Sequence, residues 1–299
     1  MRFLFVDRII QLVSGELTRG IKHVTRDDAY LTEDRQGRAC FIPSLIGETL
    51  GQLAAWNVMH HNGFTLRPVA GVVNSVHLYR PAYVGDTLLL ESFIDVLDEA
   101  AVQYHSVARV GEEVIFTIDG ALGPLLPCAD FIDGQEIRRQ FAEIYHPGDW
   151  DFYNTLPTKA MNCALDKSCV SPRVPMMFDR ILSSEPGVNL VAEKKITHAA
   201  SYFSDHFPLK PVLPMTVLLE CKVNLAQEFI ARSGYLGIYQ VKELRKIKMN
   251  EFILPGAIIL CYVKIKQKNA EELVLTFRSE VEGKRVCVVE MVLISLELG

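Results

Sequence analysis

The sequence predicts an α+β protein built twice over, each half a single helix followed by a run of antiparallel strands. Three observations carry this. Segments recur at a near-constant displacement: VDRII at 6–10 is echoed by FDRIL at 178–182, Thr25 by Thr197 and Glu48 by Glu220, all 172 positions apart (220 − 48). Gly85 is echoed by Gly256 at 171 (256 − 85). Self-similarity over a domain length indicates duplication rather than a short-period solenoid. Each half also holds one apolar helix led by a proline, and each helix is followed by β-branched, partly alternating segments. One helix and then several strands is an α+β layer arrangement.

The first repeat spans 1–125. Its helix is expected over Pro43–His61, where Leu45, Ile46, Leu50, Leu53 and Ala54 recur at helical spacing and Pro43 suits the start. Strands are expected at 69–79, 86–97, 101–110 and 113–122, with Gly85-Asp86 and Gly111-Glu112 supplying turns. A linker at 126–173 carries one helix, GQEIRRQFAEIY, and then Trp150, Phe152 and Tyr153, which should pack against the repeats. The second repeat, 174–299, places its helix over Pro214–Arg232 and strands at 235–249, 257–267, 272–281 and 284–298. Val281-Glu282-Gly283-Lys284 reads as the hairpin between the last two.

Of the 299 residues, 49% are hydrophobic and 22% charged, as in an ordinary globular protein, and each repeat is long enough to bury its own core. A net charge of −5 leaves no nucleic-acid footprint, and no apolar run reaches membrane-spanning length. The N-terminal stretch is interrupted by Asp7 and Arg8, so it does not read as a signal peptide. Seven scattered cysteines with no CxxC pair argue against zinc or a disulfide framework, and the expected setting is the cytoplasm.

Chemistry concentrates in Tyr202–Glu220, YFSDHFPLKPVLPMTVLLE. Pro208, Pro211 and Pro214 stiffen a turn that presents His206, and an apolar helix then carries Glu220 (220 − 206 = 14). A histidine and an acid on rigid apolar supports suit proton transfer. This stretch resembles the active-site signature of the β-hydroxyacyl-acyl-carrier-protein dehydratases of the FabA/FabZ type, in which a GHFP-x-x-P-x-x-PG loop feeds the central helix of a hotdog fold. The resemblance implies two fused hotdog domains, each an antiparallel sheet wrapped around its helix, joined as a pseudo-dimer.

In that family the loop histidine and the helical acid come from opposite protomers. The resemblance therefore pairs His206 of the second repeat with Glu48 of the first. The converse site would set Glu220 against Asp34, the counterpart of His206, and so lack a base. It further implies that the Met215 and Thr216 N–H groups at a helix start hold the thioester oxygen, with Pro214, Gln52 and Glu220 in support. The expected reaction is dehydration of a (3R)-hydroxyacyl thioester on the phosphopantetheine of an acyl carrier protein, with no metal or redox cofactor. Met215 and Asp205 replace two family glycines; Asp205 is expected to raise the pKa of His206, and Met215 to narrow the thioester approach. The basic stretch Lys242, Arg245, Lys246 and Lys248, extended by Lys264, Lys266 and Lys268, is either a solvated sheet face or a dock for an acidic carrier. Further pairing into homo-oligomers fits the fold. A thioesterase or isomerase of the same fold, or a non-catalytic acyl-thioester-binding subunit, remain the alternatives.

Overall fold

The computed structural model describes residues 2–148, 150–154, 176–235, 237–269 and 271–296. The first half contains β1 (Arg8–Val13), β2 (Leu17–His23), β3 (Leu31–Glu33), β4 (Ala39–Phe41), α1 (Pro43–His61), β5 (Leu66–Pro68), β6 (Val72–Leu78), β7 (Thr87–Leu97), β8 (Ala101–Val110) and β9 (Glu113–Pro127). Two helices follow, α2 (Gly134–Ile144) and α3 (Trp150–Asn154). The second half contains β10 (Arg180–Glu185), β11 (Asn189–Lys195), α4 (Met215–Arg232), β12 (Ile238–Met249), β13 (Ile258–Lys268), β14 (Glu272–Val281) and β15 (Lys284–Leu296).

The large sheet is antiparallel throughout and reads as a palindrome, β1-β2-β7-β8-β9-β6 and then β12-β15-β14-β13-β11-β10. The halves meet at the β6–β12 seam, where Val76 pairs with Leu244 and Val73 with Ile247. This is a pair of hotdog domains fused into a pseudo-dimer. Joining the sheets covers an edge strand of each half, which would otherwise expose unpaired backbone groups. Helix α1 is apolar on nearly every face and its Leu45, Ile46, Leu50, Leu53 and Val58 are fully buried. A helix of that composition belongs inside a wrapped sheet, not on a surface.

Two strands of the large sheet precede each central helix, whereas the sequence pattern places the strands after it. Arg8, Arg19 and Lys22 break the apolar alternation in β1 and β2, yet all three are satisfied. Arg19 pairs with Glu91 at 2.8 Å, and buried Lys22 pairs with Asp28 at 2.9 Å. The β14–β15 hairpin turns at Glu282 and Gly283 with φ of 51° and 77°. Both central residues are left-handed, the geometry whose twist matches the flanking strands.

The halves diverge between the second strand and the helix. The first half inserts the β3–β4 hairpin, while the second runs through a 3₁₀ turn at Ser201–Ser204 into the proline-rich loop. After β9, Asp133 caps α2 by accepting from the N–H groups of Gln135 and Glu136. Trp150 and Tyr153 pack against Ile10, Ile21 and Leu89. The side chain of Phe152, together with Cys163 and Cys169, lies outside the described residues. The five described cysteines are buried and unpaired.

Candidate active site

The proline loop is fixed by its own backbone. His206 N–H donates to the Tyr202 carbonyl, Val212 N–H to the His206 carbonyl and Leu209 N–H to the Phe131 carbonyl, and the His206–Phe207 peptide is cis. His206 Nδ1 lies 2.8 Å from the Val212 carbonyl oxygen. A carbonyl only accepts, so Nδ1 carries the proton and Nε2 keeps its lone pair. The imidazole is clamped between Phe207, stacked at 4.0 Å, and the edge of Phe3 at 6.0 Å. Burial among these rings pushes its pKa below the ordinary histidine value, and the Arg67 charge pushes the same way, while Glu48 and the Val212 carbonyl offset part of the shift.

Glu48, on the second turn of α1, comes from the other half and acts electrostatically on His206. Both its oxygens are held. Thr216 Oγ1 donates to Oε2 at 2.7 Å across the pseudo-dimer axis, and Gln52 Nε2 donates to Oε1 at 3.1 Å from one turn along α1. Gln52 is itself anchored, accepting from Phe5 N–H at 2.9 Å and donating to the Phe3 carbonyl at 3.0 Å. His206, Glu48, Gln52 and Thr216 are thus brought together. Pro214 is the N-cap residue of α4; no side chain caps that helix and no acid occupies its first turn. The N–H groups of Met215 and Thr216 therefore begin a helix whose positive end faces the cavity.

Glu220 is not part of this cluster. It is buried beside Ser44, and burial raises its pKa, with the Ser44 hydroxyl and N–H offsetting part of the rise. Asp34, at the position of His206 in the first half, organises the β3–β4 turn. Its carboxylate accepts from the N–H groups of Gln36 and Arg38, from the Arg38 guanidinium and from the Tyr83 hydroxyl.

Asp205 does not do what the sequence suggested. Its carboxylate accepts from Phe3 N–H at 2.7 Å and from Ser204 Oγ at 3.3 Å. It pins the N-terminal segment, and the histidine pKa moves down rather than up.

Sequence reasoning missed Arg67. Strand β5 folds back on β9 and lays this guanidinium over the Phe207 ring, 3.8 Å from its centroid. Its Nε has no hydrogen-bond partner among the described residues, and burial lowers its pKa to about 10. A short strand beginning Leu-Arg-Pro carries no motif; the doublet of a buried arginine on the loop's own phenylalanine appears only in three dimensions.

These groups line a cavity of about 490 Å³ between the two helices and the seam strands, walled largely by Val73, Val76, Leu219, Leu244 and Ile247. Met215 also lines it. Its volume and apolar walls suit an extended apolar ligand with a few fixed polar groups. Among the described residues no cluster of His, Cys, Asp and Glu could hold a metal ion, and no helix is long and apolar enough to cross a membrane.

The basic stretch lies on β12, with Lys242, Lys246 and Lys248 exposed and Arg245 half-buried. Much of its charge is already balanced. Lys242 pairs with Glu272 at 3.5 Å, Arg245 with Glu290 at 3.2 Å and Glu243 at 3.8 Å, and Lys246 and Lys266 converge on Glu290 at 3.1 and 2.6 Å.

Comparison with known proteins points the same way. A FabA-like domain matches residues 171–291. The 3-hydroxyacyl-(acyl-carrier-protein) dehydratase FabZ of Pediococcus pentosaceus is 32% identical over 131 residues, covering 41% of this chain and 84% of that protein. The FabZ of Caldanaerobacter subterraneus subsp. tengcongensis is 34% identical over 119 residues, covering 39% and 84%. Among solved structures, a putative oleoyl thioesterase from Lactobacillus plantarum covers 95% of this chain and 100% of its own, with a TM-score of 0.57 at 10% identity. The 12:0-ACP thioesterase from Umbellularia californica covers 94% of both chains, with a TM-score of 0.51 at 13% identity. At such identities the two thioesterases share the fold alone. The sequence match spans most of the relatives' length and includes the loop that carries His206, so this chain belongs to the FabA/FabZ dehydratase family.

Proposed function

We propose that the chain dehydrates a (3R)-hydroxyacyl thioester, carried on the phosphopantetheine of an acyl carrier protein, to the trans-2-enoyl thioester at one composite site. His206 Nε2 takes the C2 proton, its Nδ1–H held by the Val212 carbonyl. Electron density moves onto the thioester oxygen, which faces the N–H groups of Met215 and Thr216 at the start of α4. The C3–O bond then breaks and the Glu48 carboxyl gives its proton to the departing hydroxyl, releasing water. Return of the proton from His206 to Glu48 resets the pair. These steps move only protons and water and call on no metal or redox cofactor. Gln52 and Thr216 orient the acid throughout.

The observation that supports this reading best is the pairing across the halves. The neutral imidazole of the second half and the acid of the first line one cavity, and each is fixed by hydrogen bonds on the side away from the substrate. The converse position keeps its acid and lacks a base, which is why one site per chain is proposed. The test is enoyl formation from 3-hydroxyacyl thioesters; free acid instead of enoyl product, or binding without turnover, would refute it.

The carrier would dock on the β12 face near Lys248, which has no ion pair among the described residues, with Lys242, Arg245 and Lys246 beside it. Such docking is salt-sensitive. Raising salt should weaken use of carrier-bound substrate while sparing the free pantetheine thioester; equal effects on both would argue against this surface.

A further inference from the structure

Ser44 and Glu220 are the 172-residue counterparts of Thr216 and Glu48, and they line the same cavity as His206. Both are at least nine-tenths buried, at 9% and 7% exposure. Ser44 lies close enough to Glu220 to lower its pKa, but the two are not closed into a well-formed bond like that of Thr216 to Glu48: Ser44 Oγ and Glu220 Oε2 each lack a partner of hydrogen-bond geometry among the described residues. Buried polar atoms are nearly always satisfied, so two orphans on one cavity wall call for a ligand group. The apolar lining residues Val76, Leu219, Leu244 and Ile247 offer none. No base accompanies them, because the hairpin that replaces the histidine loop has Asp34 tied to Arg38 and Tyr83. The position can therefore recognise a group but not transform it as His206 would.

We propose that Ser44 and Glu220 form a recognition point for a hydroxyl on the acyl chain beyond C3, so that the preferred substrates are polyoxygenated acyl thioesters rather than plain hydrocarbon chains. The proposal rests on the dehydratase reading for the orientation of the chain, since the thioester end is taken to lie at His206. A hydroxyl both donates and accepts, and so satisfies a carboxyl oxygen and a serine hydroxyl at once. Burial raises the Glu220 pKa, which favours the form that can donate as well as accept and lessens the cost of a bare charge in an apolar wall. A site built to hydrogen-bond a hydroxyl discriminates against analogues that lack it, because its own polar groups are then left unpaired.

The test is binding of S-alkyl pantetheine thioethers, which cannot be dehydrated or hydrolysed, with one hydroxyl moved a carbon at a time along the chain. At one position the hydroxylated chain is expected to bind about tenfold tighter than the plain chain, the ratio that one well-made buried hydrogen bond supplies. Ser44→Ala with Glu220→Leu should reverse the preference. Ser44→Ala alone, a change too small to disturb folding, should reduce it. The proposal is overturned if no hydroxyl position improves binding, if the preference survives the double variant, or if no chain binds at all. Failure of the dehydratase reading shows separately, as absence of enoyl product from a plain 3-hydroxyacyl thioester that does bind.

Discussion

Thr216 Oγ1 donates a 2.7 Å hydrogen bond to Glu48 Oε2, and the two residues stand 168 positions apart in sequence. Through this bond the helix that starts behind the histidine loop fixes the acid contributed by the other half. Thr216→Val keeps the shape and removes the donor. A hydrogen bond to a neutral carboxyl contributes about 0.5–1.5 kcal/mol, so kcat/KM should fall roughly two- to tenfold. Circular dichroism and a denaturation midpoint would confirm intact folding. Unchanged kcat/KM would mean that Glu48 needs no such fixing.

The acid limb of the kcat/KM profile should report His206. Its folded-state pKa lies below the ordinary 6.5, so the imidazole is already the neutral base at pH 7. Activity is then lost only as pH falls through that lowered value. Any stability contributed by keeping the ring neutral is present above the unfolded pKa and is lost in the same direction as pH falls. An acid limb at or above the ordinary value would contradict the burial argument.

Arg67 supplies part of that shift, since its charge opposes a second positive charge on the imidazole. Arg67→Leu should therefore move the acid limb upward, toward the ordinary histidine value. Arg67→Lys keeps the charge and should leave the limb near its wild-type position, even if loss of the planar stack on Phe207 lowers the rate. A limb that does not move with Arg67→Leu would assign this residue to packing alone.

How much of this was legible beforehand differs by feature. The repeat was visible because Glu48 and Glu220, or the two Asp-Arg-Ile echoes, kept their spacing through the duplication. The loop was visible because proline cannot be disguised by neighbouring residues. Strands β1 and β2 were hidden, because buried charges such as Lys22, paired with Asp28, break an alternation that tertiary partners restore. Arg67 was hidden because its role depends on β5 folding onto β9. The orientation of Asp205 toward Phe3 N–H was hidden for the same reason: its partner lies 202 positions away.

Lys222 offers a stability test remote from the site. It is fully buried in α4, and among the described residues its ammonium meets only Cys287 Sγ, at 2.8 Å. The equivalent residue of the first half is Leu50, also fully buried (222 − 172 = 50). Replacing a poorly satisfied buried amine with a well-packed apolar side chain is commonly stabilising, by about 1–4 kcal/mol. Lys222→Leu should raise the denaturation midpoint accordingly, whereas a lowered midpoint would show that the amine and thiol are a net stabilising pair.

The central claim is a single composite site spanning the two halves. The most direct measurement is enoyl formation from a 3-hydroxyacyl thioester by the wild type, His206→Ala, Glu48→Gln and Glu220→Gln, each at matched folding. The account expects His206→Ala and Glu48→Gln to lose at least a hundredfold, and Glu220→Gln to stay within about tenfold of the wild type on a plain acyl chain. Loss with Glu220→Gln alongside indifference to Glu48→Gln would place the acid in the wrong half and contradict it.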